Sequence, residues 1–403
     1  TEYKKIFNVN YVNIPFGKKI LQSGSKSYVS KFLNIEEQNP SNIIEIHNRP
    51  NYLEYLPKTL KAKIVLYFHN DPLTMIGSKI KNQRINLFKK SYKIIFNSEW
   101  SKKRFLNGLN KVYYKSEKLI VIYQSTNKVK INLNKKKNWI IFVGKLNRAK
   151  GYDLFGKAVL KILNKFPNWK AIAIGDEPRE KLIFAHKNLK KLGFLKHEKV
   201  LDIFTKTSIA VACSRWNEPL GRTGLEASSR GCAVIISNRG GLPETITNGI
   251  IIKRLNELNV YNSIKKLIEN SKYRRILQKL SIKNFMHTHK NIVNKIDLYR
   301  NIAIDSDLLK INFYKKKEKL KILHVTNFNE RHDGRLFFNT GRRINNGFIR
   351  LNHSVLEFSD RDIVSYYRSI NDPSGSNKLN EKLFNTVYNY VPDIIVLGHA
   401  DLI

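Results

Sequence analysis

Short apolar runs alternate with stretches of helical periodicity from about residue 40 to residue 250. Each run is a handful of β-branched or aromatic residues long and tends to end in Gly, Asn, His or Ser. This alternation is typical of βαβ units and predicts two series of parallel strands. The first series is predicted at residues 43–46, 63–68, 93–96 and 119–123. The second is predicted at residues 139–143, 170–174, 208–212 and 233–236.

A charged, Asn-rich stretch at residues 127–137 separates the two series. We therefore expect an α/β chain with two Rossmann-like, doubly wound domains, residues 1–126 and 127–303, which face each other across a cleft. Sheets of this kind bind ligands outside the carboxyl ends of their strands. Residues 256–303 have helical periodicity and no strand candidates, so we expect them to pack as helices on the second domain.

A partial third α/β unit is predicted at residues 320–403, after a basic linker at residues 304–319. Its last strand and the following His399 repeat the pattern of residues 41–47, in which a polar pair and an apolar strand precede a histidine. We expect the start of a second copy of the first domain, whose own first strand and helix are missing here. The alternative is a C-terminal subdomain with a coincidental likeness.

Charge and cysteine usage narrow the choice of partner and compartment. The 73 Lys and Arg residues against 32 Asp and Glu residues give a net charge of +41, which suits an anionic partner. The lysines are spread along a chain rich in Lys, Asn and Ile, so compositional bias is the alternative.

No apolar run reaches the ~18 residues that a membrane span needs. Because Cys213 and Cys232 lie in apolar contexts without metal-ligand spacing, we expect a reducing, cytoplasmic compartment.

The strongest chemical pattern is a pair of carboxylates, Glu218 and Glu226, eight residues apart with glycines between them. Gly221, Thr223 and Gly224 fit a tight turn that opens a helix. The free N–H groups and positive dipole end of such a helix suit a phosphate. The two carboxylates could then accept hydrogen bonds from sugar or ribose hydroxyls. An ordinary strand, turn and capped helix is the alternative for this segment.

The ends of other strands in the second series carry residues that also suit a phosphate-bearing ligand. Gly144 and Lys145 follow the first strand of the second series, and Lys150 closes the next turn. Lysines at this position can neutralise a diphosphate as point charges. Gly175 and residues 237–244 mark two further strand ends where backbone can approach a ligand closely.

The order of these landmarks resembles the nucleotide-sugar-binding domain of retaining glycosyltransferases of family 4, which have the GT-B fold. The resemblance covers residues 40–303 and rests on residues 143–151, 174–176, 193–195, 218–226 and 240–244. It implies that Lys145 and Lys150 hold the donor diphosphate, although the family commonly has Arg at the first position. It also implies that Glu218 contacts the donor sugar and that Glu226 binds the ribose. The implied donor-binding set is Gly144, Lys145, Lys150, Gly175, Pro219, Leu220, Gly221, Arg222, Thr223 and Glu226.

The resemblance also points to a histidine after a central strand of the first domain. His69 occupies that place, and the family implies that it faces the donor sugar as a catalytic residue together with Glu218. His47 is a candidate for the acceptor side, and a satisfied loop residue is the alternative for each histidine. The glycine-rich loop that such enzymes place over the donor phosphates is not found before residue 40, where only Gly17 and Gly24 occur.

We therefore expect an enzyme that transfers a sugar from a nucleoside-diphosphate sugar to a saccharide or lipid-linked acceptor, with retention of configuration. No Asp-x-Asp pair suited to a divalent ion stands at a strand end in a similar setting, so we expect neither a metal nor any cofactor besides the donor. Synthesis of a cell-surface polysaccharide or glycolipid, at the inner face of an anionic membrane, fits the basic charge.

Two other classes of function stay open. One is a non-enzymatic, basic surface-binding protein, and the other is a different GT-B enzyme, such as a nucleotide-sugar epimerase or a starch or glycogen synthase. Nucleic acid is disfavoured as a partner because the aromatic residues show no stacking pattern and no zinc or helix-turn-helix signature is present.

Overall fold

The computed structural model describes residues 9–14, 24–314, 319–332 and 339–398. Gly17, His399 and residues 315–318 of the predicted basic linker lie outside these ranges. The prediction of a linker from residue 304 is wrong for residues 304–314, because the backbone there continues the helix His289–Tyr314. The chain divides into two compact units, Thr1–Ile304 and Asp305–Ile403. Within the described ranges, no helix is both long enough and apolar enough to cross a membrane.

The first unit begins with a parallel four-stranded sheet whose spatial order follows the sequence. Its strands are β1 (Ile43–His47), β2 (Lys63–Phe68), β3 (Lys93–Phe96) and β4 (Leu119–Val121). Helices α1 (Gly24–Gln38), α2 (Lys81–Lys90) and α3 (Glu99–Leu106) connect or flank them. Leu66 and Phe68 on β2 are fully buried together with Ile94 and Phe96 on β3. Continuous apolar runs of this kind form strands because both faces of a parallel sheet are covered.

The same unit contains a parallel six-stranded sheet in the order β10-β9-β8-β5-β6-β7. Its strands are β5 (Lys137–Val143), β6 (Lys170–Ile174), β7 (Leu189–Lys191), β8 (Thr207–Ala212), β9 (Ala233–Ser237) and β10 (Gly249–Ile252). The helices of this half are α4 (Tyr152–Lys165), α5 (His197–Lys206), α6 (Arg222–Ser229), α7 (Glu257–Glu269), α8 (Ser271–Lys283) and α9 (His289–Tyr314). The strand order reverses between β5 and β8, which places a crevice at their carboxyl ends.

Helix α9 corrects one expectation about the packing. Residues 256–303 were expected to pack on the second sheet, and α7 does contact α4 there. Ile292 and Ile296 of α9 instead join a core with Val65 and Ile95 on the first sheet. The helical period shows that α9 has an apolar face but not which sheet receives it, because that depends on contacts far apart in sequence.

The second unit contains the parallel three-stranded sheet β12-β11-β13. Its strands are β11 (Lys321–Thr326), β12 (Ser354–Ser359) and β13 (Ile394–Leu397), and its helices are α10 (Thr340–Arg350), α11 (Asp360–Tyr367) and α12 (Ser376–Tyr390). Leu323, Val325, Phe358, Val364 and Leu379 form its buried core. The α/β fold with parallel sheets that the sequence predicts is confirmed in both units.

Candidate active site

The loops after β5, β8 and β9 meet at the carboxyl edge of the six-stranded sheet. Glu218 pairs with Gly240 in an isolated parallel bridge, and Gly241 N donates to the Glu218 carbonyl oxygen at 2.7 Å. Gly240 has φ +61°, and a Cβ there would lie 2.1 Å from that carbonyl oxygen. The glycine is therefore required by the close approach of the two loops, whereas the approach of a ligand that the sequence predicts at this strand end stays a prediction.

Lys150 and Glu218 form an ion pair in the middle of this edge. Lys150 Nζ lies 2.5 Å from Glu218 Oε1, and the two side chains are 33% and 12% exposed. Asn147 Oδ1 accepts a hydrogen bond from Lys150 N at 2.9 Å and holds the turn. The pair lines a cleft of 670 Å³ that also contains Asn70 and Asp71 from the first half of the unit. The two predicted residues are thus brought together, with the cation placed where an anionic ligand can compete for it.

Helix α6 starts beside this pair. Gly221 is its N-cap residue with φ 92°, and no side chain caps the helix, so its first N–H groups face the loop. Pro219 and Leu220 anchor the approach: Ser98 Oγ donates to the Pro219 carbonyl oxygen at 2.5 Å, and Leu220 is only 2% exposed. Thr223 Oγ1 contacts the Val143 carbonyl oxygen at 3.4 Å, which ties the helix to the end of β5. The Leu220 side chain is therefore buried away from a donor, whereas the half-buried Pro219 lines the cleft of Lys150 and Glu218.

Glu226 lies on the same helix with its side chain 8% exposed. Its Oε1 is 2.9 Å from His197 Nε2 and 3.1 Å from Arg222 Nη2. Both partners are about half exposed, so these two side chains stand between the carboxylate and solvent. His197, which begins α5 two residues after the segment 193–195, was not predicted from the sequence.

Lys145 lines a different pocket from Lys150. Lys145 is exposed and borders a largely apolar pocket of 550 Å³ with Gly144, Gly175 and Phe194. Gly175 has φ +123°, and a Cβ there would lie 2.0 Å from the Gly144 carbonyl oxygen. The floor of this pocket is therefore backbone from the ends of β5 and β6. The two lysines of the loop between β5 and α4 therefore line separate pockets.

His69 lies at the end of β2 against His47. His69 Nε2 and His47 Nδ1 are 3.0 Å apart, so one ring donates and the other accepts. His69 Nδ1 is buried and has no hydrogen-bond partner among the residues that the structure describes. Burial, and then the neighbouring His47, lower the pKa of His69, which favours a neutral ring. His69 lines a cavity of 340 Å³ that also contains Arg222, whereas Asn70 lines the cleft of Lys150 and Glu218.

An ion pair between Glu45 and Arg300 lies next to the two histidines. Glu45 Oε2 lies 2.6 Å from Arg300 Nη2, and Glu45 Oε1 accepts from Tyr67 Oη at 2.9 Å. The Tyr67 ring stacks on the His47 ring with centroids 4.2 Å apart. Burial opposes ionisation of Glu45, but the bonds from Arg300 and Tyr67 outweigh it and hold its pKa below the usual range. Sequence reasoning missed Arg300 because it lies 255 residues from its partner.

Among the described residues, no group of three or more His, Cys, Asp or Glu side chains is arranged to hold a metal ion. Cys213 and Cys232 are both buried and unpaired with each other. Burial raises the pKa of the Cys213 thiol to about 12, so this cysteine packs as a small apolar residue.

Comparison with known proteins identifies relatives of the first unit. Residues 124–283 match the family model described as glycosyl transferases group 1. Spore coat protein SA of Bacillus subtilis is 32% identical over 162 residues, which cover 36% of this chain and 43% of that protein. The GPI3 subunit of phosphatidylinositol N-acetylglucosaminyltransferase from Saccharomyces cerevisiae is 26% identical over 217 residues, 47% of this chain and 46% of the relative. The chain spans about half the length of the curated relatives that it matches.

Solved structures extend the likeness in fold. Anabaena Alr3699/HepE in complex with UDP-glucose has a TM-score of 0.56 at 16% identity, covering 68% of this chain and 82% of that one. A glycosyltransferase from Rickettsia africae ESF-5 has a TM-score of 0.58 at 16% identity, covering 72% and 84%. At these identities the likeness shows the fold. The expected resemblance is thus confirmed in its coarser form: residues 124–283 are similar to the glycosyl transferases of group 1, and the chain shares its fold with solved glycosyltransferases.

Proposed function

We propose that this protein is a glycosyltransferase that moves a sugar from a nucleoside-diphosphate sugar to an acceptor. The observation that carries the proposal is the Lys150–Glu218 pair at the strand ends, in a cleft shared with residues of the first half. The similarity of residues 124–283 to glycosyl transferases group 1 supports it. The UDP-glucose complex of the structural neighbour HepE supports a nucleotide sugar as donor.

The donor occupies the edge of the six-stranded sheet in this proposal. The diphosphate takes Lys150 from Glu218 and binds the first N–H groups of α6, with Lys145 adding charge from its separate pocket. Glu226 accepts hydrogen bonds from the ribose hydroxyls. The apolar pocket beside Gly175 and Phe194 has the size and surface for the nucleobase. Glu218, once released, faces the sugar hydroxyls.

Chemistry then depends on the leaving group. The bond from the anomeric carbon to the diphosphate oxygen breaks through an oxocarbenium-like transition state, as in glycoside hydrolysis. The bond to the acceptor oxygen forms on the same face, so configuration is retained, and the acceptor proton leaves with the diphosphate. Fixed cations and helix N–H groups stabilise the developing phosphate charge, and we propose that no metal takes part. His69, neutral and held by His47, contacts the donor sugar from the opposite wall.

The acceptor is a saccharide or a lipid-linked saccharide in this proposal. The GPI3 relative is named for transfer to phosphatidylinositol, which supports a lipid-linked acceptor. The net charge of +41 suits peripheral attachment to an anionic leaflet at the cytoplasmic face of a membrane. In this proposal the enzyme takes part in the synthesis of a cell-surface polysaccharide or glycolipid, which requires both a lipid-linked acceptor and a position at the membrane.

Calorimetric binding of nucleoside diphosphates and their sugars to the full chain tests the proposal. Salt at about 0.3 M shortens the Debye length to roughly 5 Å and suppresses nonspecific attraction to the basic surface. We expect saturable binding of one nucleotide, lost in Lys150→Ala and Glu226→Ala. Lys165→Ala is the matched control, because Lys165 forms an exposed ion pair with Glu269 outside the cleft. Binding that the cleft variants leave unchanged would reject the site, and binding without acceptor-dependent product would favour an epimerase.

A further inference from the structure

We propose that the second unit carries a separate binding site for a neutral saccharide, in a groove beside β12. The groove has a volume of 930 Å³ and is lined by the carboxyl end of β12 and by side chains of α11 and α12. In the order β12-β11-β13, β12 is an edge strand, and the order reverses between β11 and β13. Because Glu330 and Arg331, which follow β11, also line the groove, it lies at the carboxyl ends of β11 and β12. The crevice where doubly wound sheets take nucleotides is instead at the pair where the order reverses, here β11 and β13, and no described residue of β13 lines the groove. It stands independently of the glycosyltransferase proposed for the first unit.

A buried carboxylate forms one end of the groove. Asp362 is 8% exposed, and its Oδ2 accepts from Ser359 Oγ at 2.5 Å and from Glu330 N at 2.8 Å. Asp362 Oδ1 has no hydrogen-bond partner among the described residues, and Arg331 Nε lies 3.5 Å from it. This oxygen can therefore still accept a hydrogen bond from a ligand. Because the Arg331 side chain is 41% exposed, it can move aside for a ligand hydroxyl.

Two tyrosines form the aromatic part of the wall. Tyr366 is 80% exposed and Tyr367 is 40% exposed, with ring centroids 6.4 Å apart. Lys382 Nζ lies 4.6 Å from the Tyr367 ring centroid and holds that ring in place. Tyr366 thus presents a free aromatic face at the mouth of the groove, the surface on which the C–H groups of a sugar ring pack.

Amides on α12 supply the hydrogen-bonding part. Asn385 and Asn389 are four residues apart and therefore lie on one face of the helix. Both are exposed, and neither side chain forms a hydrogen bond to any residue that the structure describes. Each amide offers a donor and an acceptor, the combination that sugar hydroxyls need.

Charge argues for a neutral ligand. The groove is lined by three acidic residues, Glu330, Glu357 and Asp362, and by two basic ones, Arg331 and Lys382. In a chain with 73 basic and 32 acidic residues this ratio is reversed. Arg342 Nη1 lies 2.6 Å from Glu357 Oε2, so acidic and basic side chains around the groove are balanced. A phosphate or nucleotide would therefore meet no net attraction here, whereas uncharged hydroxyls can bond to carboxylates and amides alike. A free aromatic face, paired amides and carboxylates together describe a saccharide site.

The test uses the intact chain on an array of neutral glycans, followed by saturation-transfer NMR with the glycan that binds best. We expect Tyr366→Ala and Asn385→Ala each to weaken binding about tenfold, since a stacked ring or a buried hydrogen bond contributes that much. Tyr388→Ala is the matched control, because Tyr388 is 84% exposed on the same helix and does not line the groove. Glu226→Ala in the first unit is the second control.

Three results would overturn the site. The first is an array on which Tyr366→Ala binds every glycan as strongly as the unchanged protein does. The second is binding that Glu226→Ala abolishes and Tyr366→Ala leaves intact, which would place the glycan in the first unit. The third is competition for the groove by UDP, which would show an anion site. Circular dichroism of Tyr366→Ala and Asn385→Ala establishes that both variants fold, and the exposure of both side chains makes this the expected result.

Discussion

The carboxylate of Glu244 accepts a hydrogen bond from the backbone N–H of Trp100 at 2.9 Å, and another from Glu99 N at 2.7 Å. Glu244 follows β9, whereas Trp100 is in the first turn of α3, so the bonds join the two halves of the first unit. A carboxylate at a helix N-terminus is stabilised by the free N–H groups and the dipole of the helix. Tyr123 Oη adds a third bond at 3.1 Å, and burial together with the charge of Glu244 raises the pKa of Tyr123.

Removal of the Glu244 side chain is expected to weaken the association between the two halves of the first unit. Glu244→Ala should lower the free energy of unfolding by about 1 kcal/mol, as other lost caps do, and should weaken donor binding because the cleft is shared between the halves. Urea denaturation and calorimetry measure the two effects. Glu257→Ala is the control, since Glu257 forms a half-exposed ion pair with Lys161 within one half. Equal losses in the two variants would contradict a specific role for Glu244.

The Lys150–Glu218 pair predicts opposite effects on binding for its two members. Glu218→Gln frees Lys150 for phosphate, so binding of a nucleoside diphosphate without its sugar should stay equal or tighten. Lys150→Met removes the cation and should weaken the same binding at least tenfold, the scale of a charge-assisted hydrogen bond. Transfer activity should fall in both. Calorimetry with the bare diphosphate separates these outcomes, and weaker binding in Glu218→Gln would show that its carboxylate instead orients Lys150.

The stacked histidines predict that stability falls on acidification. Burial lowers the pKa of both His47 and His69, so the folded protein binds fewer protons than the unfolded chain near pH 6. Stability from the neutral rings is therefore complete above the unfolded pKa of about 6.5 and is lost as the pH falls toward the folded values. Urea denaturation at pH 7.5, 6.5 and 5.5 measures the slope. His47→Gln with His69→Gln should flatten it, and His332→Gln, an exposed position in the second unit, should not.

Local pattern explains what the sequence predicted correctly. Strands such as β2 and β8 are continuous apolar runs that end in polar residues, and this pattern depends only on neighbours along the chain. β7 was missed because its three residues, Leu189–Lys191, include two lysines at a sheet edge. β10 was missed because a strand of four residues that starts with Gly carries little signal. Short edge strands form through pairing with a distant strand and not through their own preference.

The candidate site likewise contains residues that the local sequence predicts and residues that it does not. The glycines and carboxylates of residues 217–228 lie in one loop and the helix that directly follows it, so their spacing was visible in the sequence. The contact of His197 with Glu226 spans 29 residues, and that of Arg300 with Glu45 spans 255. No spacing rule connects such partners, because helices α5 and α9 set these distances only after the chain has packed. The separation of Lys145 from Lys150 into two pockets likewise follows from the shape of the loop between them.

Gly240 gives the sharpest test of the site geometry, because Gly108 offers a control with the same backbone conformation. Gly240 has φ +61° and Gly108 has φ +73°, so alanine at either position is held in the left-handed region at a cost of roughly 1–2 kcal/mol. A Cβ at Gly108 meets no atom within 4 Å, whereas at Gly240 it lies 2.1 Å from the Glu218 carbonyl oxygen. Backbone cannot move aside as a flexible side chain does, so Gly240→Ala must displace Glu218. We expect Gly108→Ala to lose only the conformational term and to bind the donor normally, and Gly240→Ala to lose more stability and donor binding together. Denaturation and calorimetry on the pair measure this difference, and equal behaviour would mean that the loops after β8 and β9 do not meet as described.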